Sequence, residues 1–361
     1  MEAVKRRLIL EDGSIFDGFG FGSGVDKVCT LAFNTAMIGY HEVVSDPAYT
    51  DLGVVMTYPI IGSYGVTDED FETRFPTAAA LIVGEYNDQP SNFRFTKTLS
   101  EIMEDYEIPG IEGIDTRRLT RIIRDKGALR ALICSGETEV SEALEVIGNA
   151  PVPTEAVKRV SCRKKWYSRT PNHKYDVTLI DCGVKLSVIR ALKAVGCNVT
   201  VVPYNTPAED ILAAKPHGVV VSGGPGAPEE LEGVCETVKQ LIGKAPIFAY
   251  GLGFQLCCLA YGAESYKLPF AQCGANHAVR NTVTGKLDTV SLVQTHAISE
   301  QSLAATELAV THIDLLNGSV QGVSCEKDKL FAVQHNPDMR IFGKDSGKLF
   351  DKFVMAMAEV K

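Results

Sequence analysis

The stretch Ala245-Pro246-Ile247-Phe248-Ala249-Tyr250-Gly251-Leu252-Gly253-Phe254-Gln255-Leu256-Cys257-Cys258-Leu259-Ala260 decides how the second half of this chain is read. Residues 245–250 form a short apolar run of the kind a buried strand presents, and residues 254–260 form a second apolar run that reads as a helix. A strand that turns sharply into a helix, with small residues on either side of one position, is a nucleophile elbow. Such a turn holds one side chain at the top of the sheet, beside the positive end of the helix. Backbone N–H groups of the next residue and of a neighbouring loop then form an oxyanion hole. The residue at that position is Gly251, which has no side chain with which to attack anything.

Working outward, residues 176–180 read as a strand, 185–195 as a helix ending at Gly196, and 198–202 as the next strand. A helix is expected over 207–214 and a fully apolar strand over 218–221. Strand and helix alternating at this spacing imply right-handed βαβ units, with helices on both faces of a mostly parallel, doubly wound sheet. Ligands of such sheets sit at the carboxyl ends of the strands. Two glycine-bearing loops fall there: Ser222-Gly223-Gly224-Pro225-Gly226 and Tyr250-Gly251-Leu252-Gly253.

Residues 151–174 carry prolines, the basic run Arg163-Lys164-Lys165 and no periodicity, so they read as a linker between domains at 1–150 and 175–361. The first half reads as short strands joined by turns, a β-rich α/β domain. Residues 7–10 are a strand followed by a turn at Glu11-Asp12-Gly13. Gly18, Gly20, Gly22 and Gly24 recur at every second position; no helical pattern follows, so turns and a bulge are expected rather than a phosphate loop. Helices are expected over 100–106 and 116–126, the second capped by Asp115 and stopped by Gly127.

Composition bounds the rest. With 361 residues and a net charge of −9, the chain is long enough for two cores and too acidic for nucleic acid or an anionic membrane surface to be its main partner. No apolar run approaches the roughly 20 residues of a membrane span, and the start has no secretory pattern. The ten cysteines show no CxxC pair and read as reduced, partly buried thiols of a cytoplasmic protein. No His/Cys cluster has ligand spacing, so neither metal nor cofactor is expected.

Residues 246–255 resemble the elbow of class I glutamine amidotransferases, in which a cysteine occupies the position of Gly251 and a histidine that of Phe254. Val333-Gln334-His335-Asn336-Pro337-Asp338 resembles the triad segment, whose histidine, proline and glutamate fall on Asn336, Pro337 and Asp338. Residues 222–228 resemble the oxyanion loop, so the resemblance places oxyanion donors at Gly224 and Leu252. In the first half, Phe33-Asn34-Thr35, Gly39-Tyr40, Asp46-Pro47, Thr57-Tyr58-Pro59, Ile61-Gly62, Tyr64-Gly65 and Ile108-Pro109-Gly110-Ile111-Glu112-Gly113-Ile114-Asp115-Thr116-Arg117 resemble a pattern peculiar to the carbamoyl phosphate synthetase small subunit. The resemblance covers about residues 5–350. It implies a small-subunit N-terminal domain, a class I amidotransferase-like C-terminal domain and, for a partner, the large subunit of the synthetase.

Measured against that pattern, the chemistry has gone. Acyl transfer from glutamine needs a thiolate, a base and a group to orient the base. Gly251 supplies no thiol, the amide of Asn336 takes up no proton near neutral pH, and Asp338 is a shortened carboxylate. His335 is adjacent, but neighbouring side chains of an extended segment face opposite ways, so it is expected to point away from the elbow. The glutamine pocket is eroded too. The family's substrate-contacting serine falls on Ala48, and its Asn-His-Gly-Phe segment reads Thr295-His296-Ala297-Ile298, while Gly226 and Gln255 remain. Cys257 and Cys258 read as core thiols, and Cys273 as an exposed one. Three readings follow: a glutaminase-inactive subunit supporting a large subunit that runs on ammonia, a stand-alone regulatory protein binding glutamine or another small ligand, and an amidotransferase with a rearranged site.

Overall fold

The computed structural model describes residues 4–338 and 346–359. The chain divides into two units, Met1–Thr154 with Pro269–Gly274, and Glu155–Leu268 with Ala275–Lys361.

In the first unit, Lys5–Leu10 turns through Glu11-Asp12-Gly13 into Ile15–Gly22, its antiparallel partner. Ile15–Gly22 pairs with Pro109–Glu112, which runs parallel to Ala80–Ile82, and that strand parallel to Leu52–Met56. Leu52–Met56 is parallel to Lys27–Asn34, which pairs with Arg130–Ser135, and Arg130–Ser135 returns to Lys5–Leu10. The pairing therefore closes on itself as a barrel and leaves few edges to protect. Leu8, Phe16, Leu31, Ile111 and Ile133 pack with Leu119 and Ile123 of the helix Thr116–Lys126. That helix starts where the Asp115 carboxylate accepts from Arg118 N and stops at Gly127, whose φ is 95°. A second helix, Leu99–Asp105, begins with a full capping box between Thr98 and Glu101.

The glycines at 18, 20 and 22 correct one expectation. They lie within the strand Ile15–Gly22, not in turns. A Cβ on Gly18 would run into the carbonyl oxygen of Glu112, and one on Gly20 would come within 2.8 Å of the Arg6 stem. Close approach to the two neighbouring strands, rather than chain reversal, explains the spacing.

In the second unit five parallel strands run in the order Cys197–Pro203, Tyr175–Asp181, Gly218–Val221, Ile247–Tyr250, Leu330–Val333. Val320–Cys325 and Ala309–Asp314 extend the sheet antiparallel beyond Leu330–Val333. Alternate residues serve opposite faces. Val219, Val221, Ile247 and Ala249 pack against Val234, Val238, Phe254 and Cys257, whereas Val220, Phe248 and Tyr250 pack against Val188, Leu192, Phe350 and Phe353. Burial on both faces is why these strands are continuously apolar.

Residues 151–174 differ from the linker expected there. Ala156–Val160 is a helix, and Trp166–Ser168 is a strand paired antiparallel with Cys197–Pro203. Three residues are too few to show periodicity, and the edge position, with one face open, tolerates the polar flanks. The boundary falls at Thr154 and Glu155, and residues 269–274 within the strand Ser265–Asn281 belong to the first unit.

Candidate functional site

The strand Ile247–Tyr250 is wholly buried and passes through Gly251 into the helix Leu252–Ala260. Gly251 has φ 57° and ψ −124°, a conformation that strains any residue with a Cβ. Its N–H donates to the carbonyl of Val333 at 3.0 Å, which fixes the turn to the last parallel strand. A Cβ built on Gly251 would meet only the Cα of Gly223 at 3.1 Å and the carbonyl oxygen of Gln334 at 4.0 Å. The 3.1 Å approach is tighter than ordinary van der Waals contact, so Gly223 would have to give slightly; the turn of the elbow is kept, and the nucleophile is not there.

The neighbouring glycines are fixed by packing. A Cβ on Gly253 would collide with the carbonyl oxygen of Val221, and one on Gly224 with that of Cys182. Both residues must stay small for the loops at the strand ends to close up. The same Cβ on Gly224 would lie 3.3 Å from the Leu252 side chain, so the two oxyanion positions expected from the sequence are neighbours. Gly226 has φ 88° and lies near Ala156 and Glu230.

Phe254 is fully buried in the core beneath the elbow. Gln255 is also buried, and its Nε2 donates to the carbonyl of His296 at 2.8 Å and to Oε1 of Gln334 at 2.9 Å. Both protons of that amide are therefore spent inside the protein. Thr295 Oγ1 lies 3.0 Å from Nδ1 of its neighbour His296, and Ala297 and Ile298 are buried. Ala48, in the other unit, sits in the short turn Pro47–Tyr49, its N–H donating to the Asp46 carboxylate at 2.9 Å.

The triad segment follows the strand Leu330–Val333. The N–H of Asn336 donates to the carbonyl of Ser291 at 2.8 Å. Asp338 accepts from the ammonium of Lys185 at 3.1 Å, with both side chains under a tenth exposed. Burial alone would raise the Asp338 carboxyl, but the Lys185 ammonium and the Ser187 hydroxyl outweigh it and hold it below the usual carboxylate range. Lys185 did not stand out in the sequence. Its one signal is a cation between Val184 and Leu186, just after the strand Tyr175–Asp181, at the edge where ligands of this fold sit.

His335 and Gln334 point to opposite sides. Gln334 meets Gln255, whereas the His335 ring packs edge-on to His312 with centroids 5.8 Å apart. Burial, with His312 beside it, lowers His335 to about 3, so it is neutral. The thiols of Cys257 and Cys258 are fully buried and pushed up by desolvation. Cys273 is buried too, contrary to the exposure expected of it, because its strand pairs there with Asn34. Among the described residues Glu307, Cys325 and Asp328 lie close enough to share a cation. Lys327 already holds Glu307, and Tyr261 and the Cys325 thiol hold Asp328. No described helix is long and apolar enough to cross a membrane.

A sheet edge with an elbow, two glycine loops and a carboxylate-bearing segment is what a class I amidotransferase domain requires, and comparison with known proteins agrees. Residues 178–356 match the family glutamine amidotransferase class-I, and residues 8–133 match carbamoyl-phosphate synthase small chain, CPSase domain. The carbamoyl phosphate synthase small chain of Staphylococcus epidermidis is 42% identical over 357 residues, covering 99% of this chain and 97% of that one. The proteins of that name from Fusobacterium nucleatum and Bacillus cereus are each 42% identical, over 97% and 99% of this chain and 97% of their own length. A solved structure from Thermoplasma acidophilum, described as part of a GMP synthase, aligns over 53% of this chain and 97% of its own, at TM-score 0.46 and 19% identity, a likeness too low to carry weight. The identity runs through both units and nearly end to end: the chain belongs to the carbamoyl phosphate synthase small chain family.

Proposed function

We propose that this small chain does not hydrolyse glutamine and instead supports a large subunit that makes carbamoyl phosphate from ammonia, bicarbonate and ATP. The observation that carries the reading is Gly251: the elbow keeps its strained turn but presents no side chain and so no nucleophile. No described thiol replaces it, since Cys257 and Cys258 are sealed in the core. Without a thiolate, oxyanion donors at Gly224 and Leu252 have no intermediate to stabilise. The base position is an amide at Asn336, and the one carboxylate of the segment is committed to Lys185.

Retention of the N-terminal unit supports the partner. Its closed barrel and the runs from Phe33 to Gly65 and from Ile108 to Arg117 could serve no hydrolysis without a thiol at Gly251, so their persistence fits a docking role. The interface with a cognate large subunit should exceed about 1,000 Å². Size-exclusion chromatography of the two purified chains, followed by assays on ammonium and on glutamine, tests the reading. Co-elution with carbamoyl phosphate made from ammonium alone supports it. A folded, monodisperse chain that fails to co-elute at micromolar concentration would instead favour a stand-alone ligand-binding protein.

A further inference from the structure

Apolar side chains that face water gather at one rim of the first unit. Lys27–Asn34, Leu52–Met56 and Ala80–Ile82 are parallel neighbours, so the segments leaving their carboxyl ends, residues 35–39, 57–61 and 83–97, come together there. Binding segments favour such an edge. In the last of them Phe93 is 94% exposed, and in the first Met37 and Ile38 are 68% and 63% exposed. Tyr58, Ile60 and Phe95 are exposed as well.

Hydrogen bonds tie these segments to one another and hold the rim in shape. The Thr57 N–H donates to the carbonyl of Asn34 at 3.0 Å, which sets Tyr58 beside the start of residues 35–39. The Gly39 N–H donates to the Tyr64 hydroxyl at 2.9 Å, and the Tyr64 ring stacks on that of Tyr40 with centroids 4.1 Å apart. The Ser91 N–H donates to the carbonyl of Ser63 at 3.0 Å, and Phe95 packs on Gly65, where an added Cβ would come within 2.8 Å of the Phe95 Cβ. Phe93 stands in a turn closed by the Phe95 N–H on the Asn92 carbonyl at 3.1 Å, with Asn92 Oδ1 accepting from the Arg94 N–H at 3.1 Å. Turns favour Gly, Pro, Asn, Asp and Ser for their backbone conformations. A phenylalanine gains nothing from such a turn and, exposed, nothing from the core. Arg94 beside it is met by Glu69 at 3.5 Å, a charged border of the kind that surrounds the apolar centre of an interface.

At about 200 Å² for a whole aromatic side chain and about 100 Å² for an aliphatic one, the six residues expose about 500 Å² of apolar surface. That is near the top of the range for the largest patch on a monomer, and over half of the roughly 800 Å² that one partner brings to a standard interface. We propose that this rim is the face by which the chain docks to the large subunit, with Phe93 and the Met37-Ile38 pair entering an apolar hollow on that partner. The proposal rests on the reading that the chain supports a large subunit, and adds to it the surface and its anchors. Two observations choose that occupant over a second copy of this chain. Met37, Ile38, Tyr58 and Ile60 lie inside the run from Phe33 to Gly65, within the part that matches the small-chain family, and that run is kept although the elbow has no nucleophile. The net charge of −9 sets two copies of this chain against each other.

Biolayer interferometry of the full chain against its cognate large subunit tests the proposal, with sedimentation of the chain alone beside it. Phe93→Ala should weaken binding by about tenfold or more, and Met37→Ser with Ile38→Ser by a similar factor, because a few central apolar anchors carry most of an interface's affinity. Val146→Ser changes an exposed residue of the helix Val140–Asn149, which packs on Lys5–Leu10 and Arg130–Ser135, and should leave the affinity within about twofold. The rim side chains lie outside the core, so the variants should melt with the wild type; an earlier melt would contradict their exposure. Wild-type binding that is unchanged in the Phe93→Ala/Met37→Ser/Ile38→Ser triple variant overturns the assignment of this rim and leaves the docking reading standing. No binding by the wild-type chain overturns both. Self-association of the chain that Phe93→Ala abolishes also overturns the proposal, assigning the rim to a second copy.

Discussion

Replacing Lys185 by Met removes one half of an ion pair that the fold has taken out of water. Lys185 Nζ and Asp338 Oδ2 are 3.1 Å apart, and both side chains are under a tenth exposed. Deleting one partner leaves a buried charge without compensation, which costs about 3–5 kcal/mol, whereas replacing both by apolar residues of similar volume is close to neutral. For a unit of 150–250 residues each kcal/mol moves the midpoint by about 2–4 °C, so Lys185→Met should lower it by about 6–20 °C. The chain's single tryptophan, Trp166, belongs to the C-terminal unit, and its fluorescence follows that unit's unfolding. Asp338→Leu alone should cost a similar amount, and Lys185→Met with Asp338→Leu should recover most of the loss. Because the Asp338 carboxyl is held below its ordinary value, the pair stabilises fully above about pH 4 and loses its contribution as the pH falls through the lowered value. A shift of less than about 2 °C in Lys185→Met, or single losses that simply add in the double variant, would refute the assignment of Asp338 to a structural pair.

Gly251→Cys should yield no glutamate from glutamine and should cost about 1–3 kcal/mol, since φ 57° and ψ −124° strain a residue with a Cβ; robust turnover by this single variant would show that the missing thiol was the whole defect. Adding Phe254→His, Asn336→His and Asp338→Glu should recover at most a trace, read by the same glutamate assay. Alkylation of the native chain near pH 7 should reach the two half-exposed thiols, Cys162 and Cys235, and leave the buried ones unlabelled until unfolding, as peptide mass spectrometry would reveal; early labelling of Cys257 or Cys258 would contradict their sealed position. His335 is lowered to about 3 in the fold. The unfolded chain therefore binds its proton below about pH 6.5 and the native chain does not, so stability should fall with acidity from about pH 6.5 by up to about 1.4 kcal/mol per pH unit. His335→Phe should flatten that slope in acid denaturation curves, and an unchanged slope would count against the buried, neutral ring.

How much of the fold the sequence disclosed depended on how local the signal was. The parallel strands were legible because burial on both faces makes a run such as residues 218–221 uninterruptedly apolar. The elbow was legible because Ala249 and Gly253 flank one position at a junction between two apolar runs, and packing against Val221 demands a glycine at 253. Trp166–Ser168 was hidden, since an edge strand of three residues has no period to detect. The alternating glycines misled because close strand approach and chain reversal select the same residue. Cys273 was misjudged because its burial comes from pairing with Asn34, more than two hundred residues away in sequence. The Lys185–Asp338 pair joins segments far apart in the chain, and only the folded sheet brings those side chains together.

The central claim concerns one bond, the carboxamide of glutamine. The most direct measurement is glutamate release from isotope-labelled glutamine by the purified chain, alone and mixed with its cognate large subunit, with bicarbonate and ATP present. The account predicts release no higher than the protein-free control in either case, while ammonium sustains carbamoyl phosphate synthesis by the mixture. Glutamate released in proportion to the concentration of this chain, with its nitrogen recovered in carbamoyl phosphate, would contradict it.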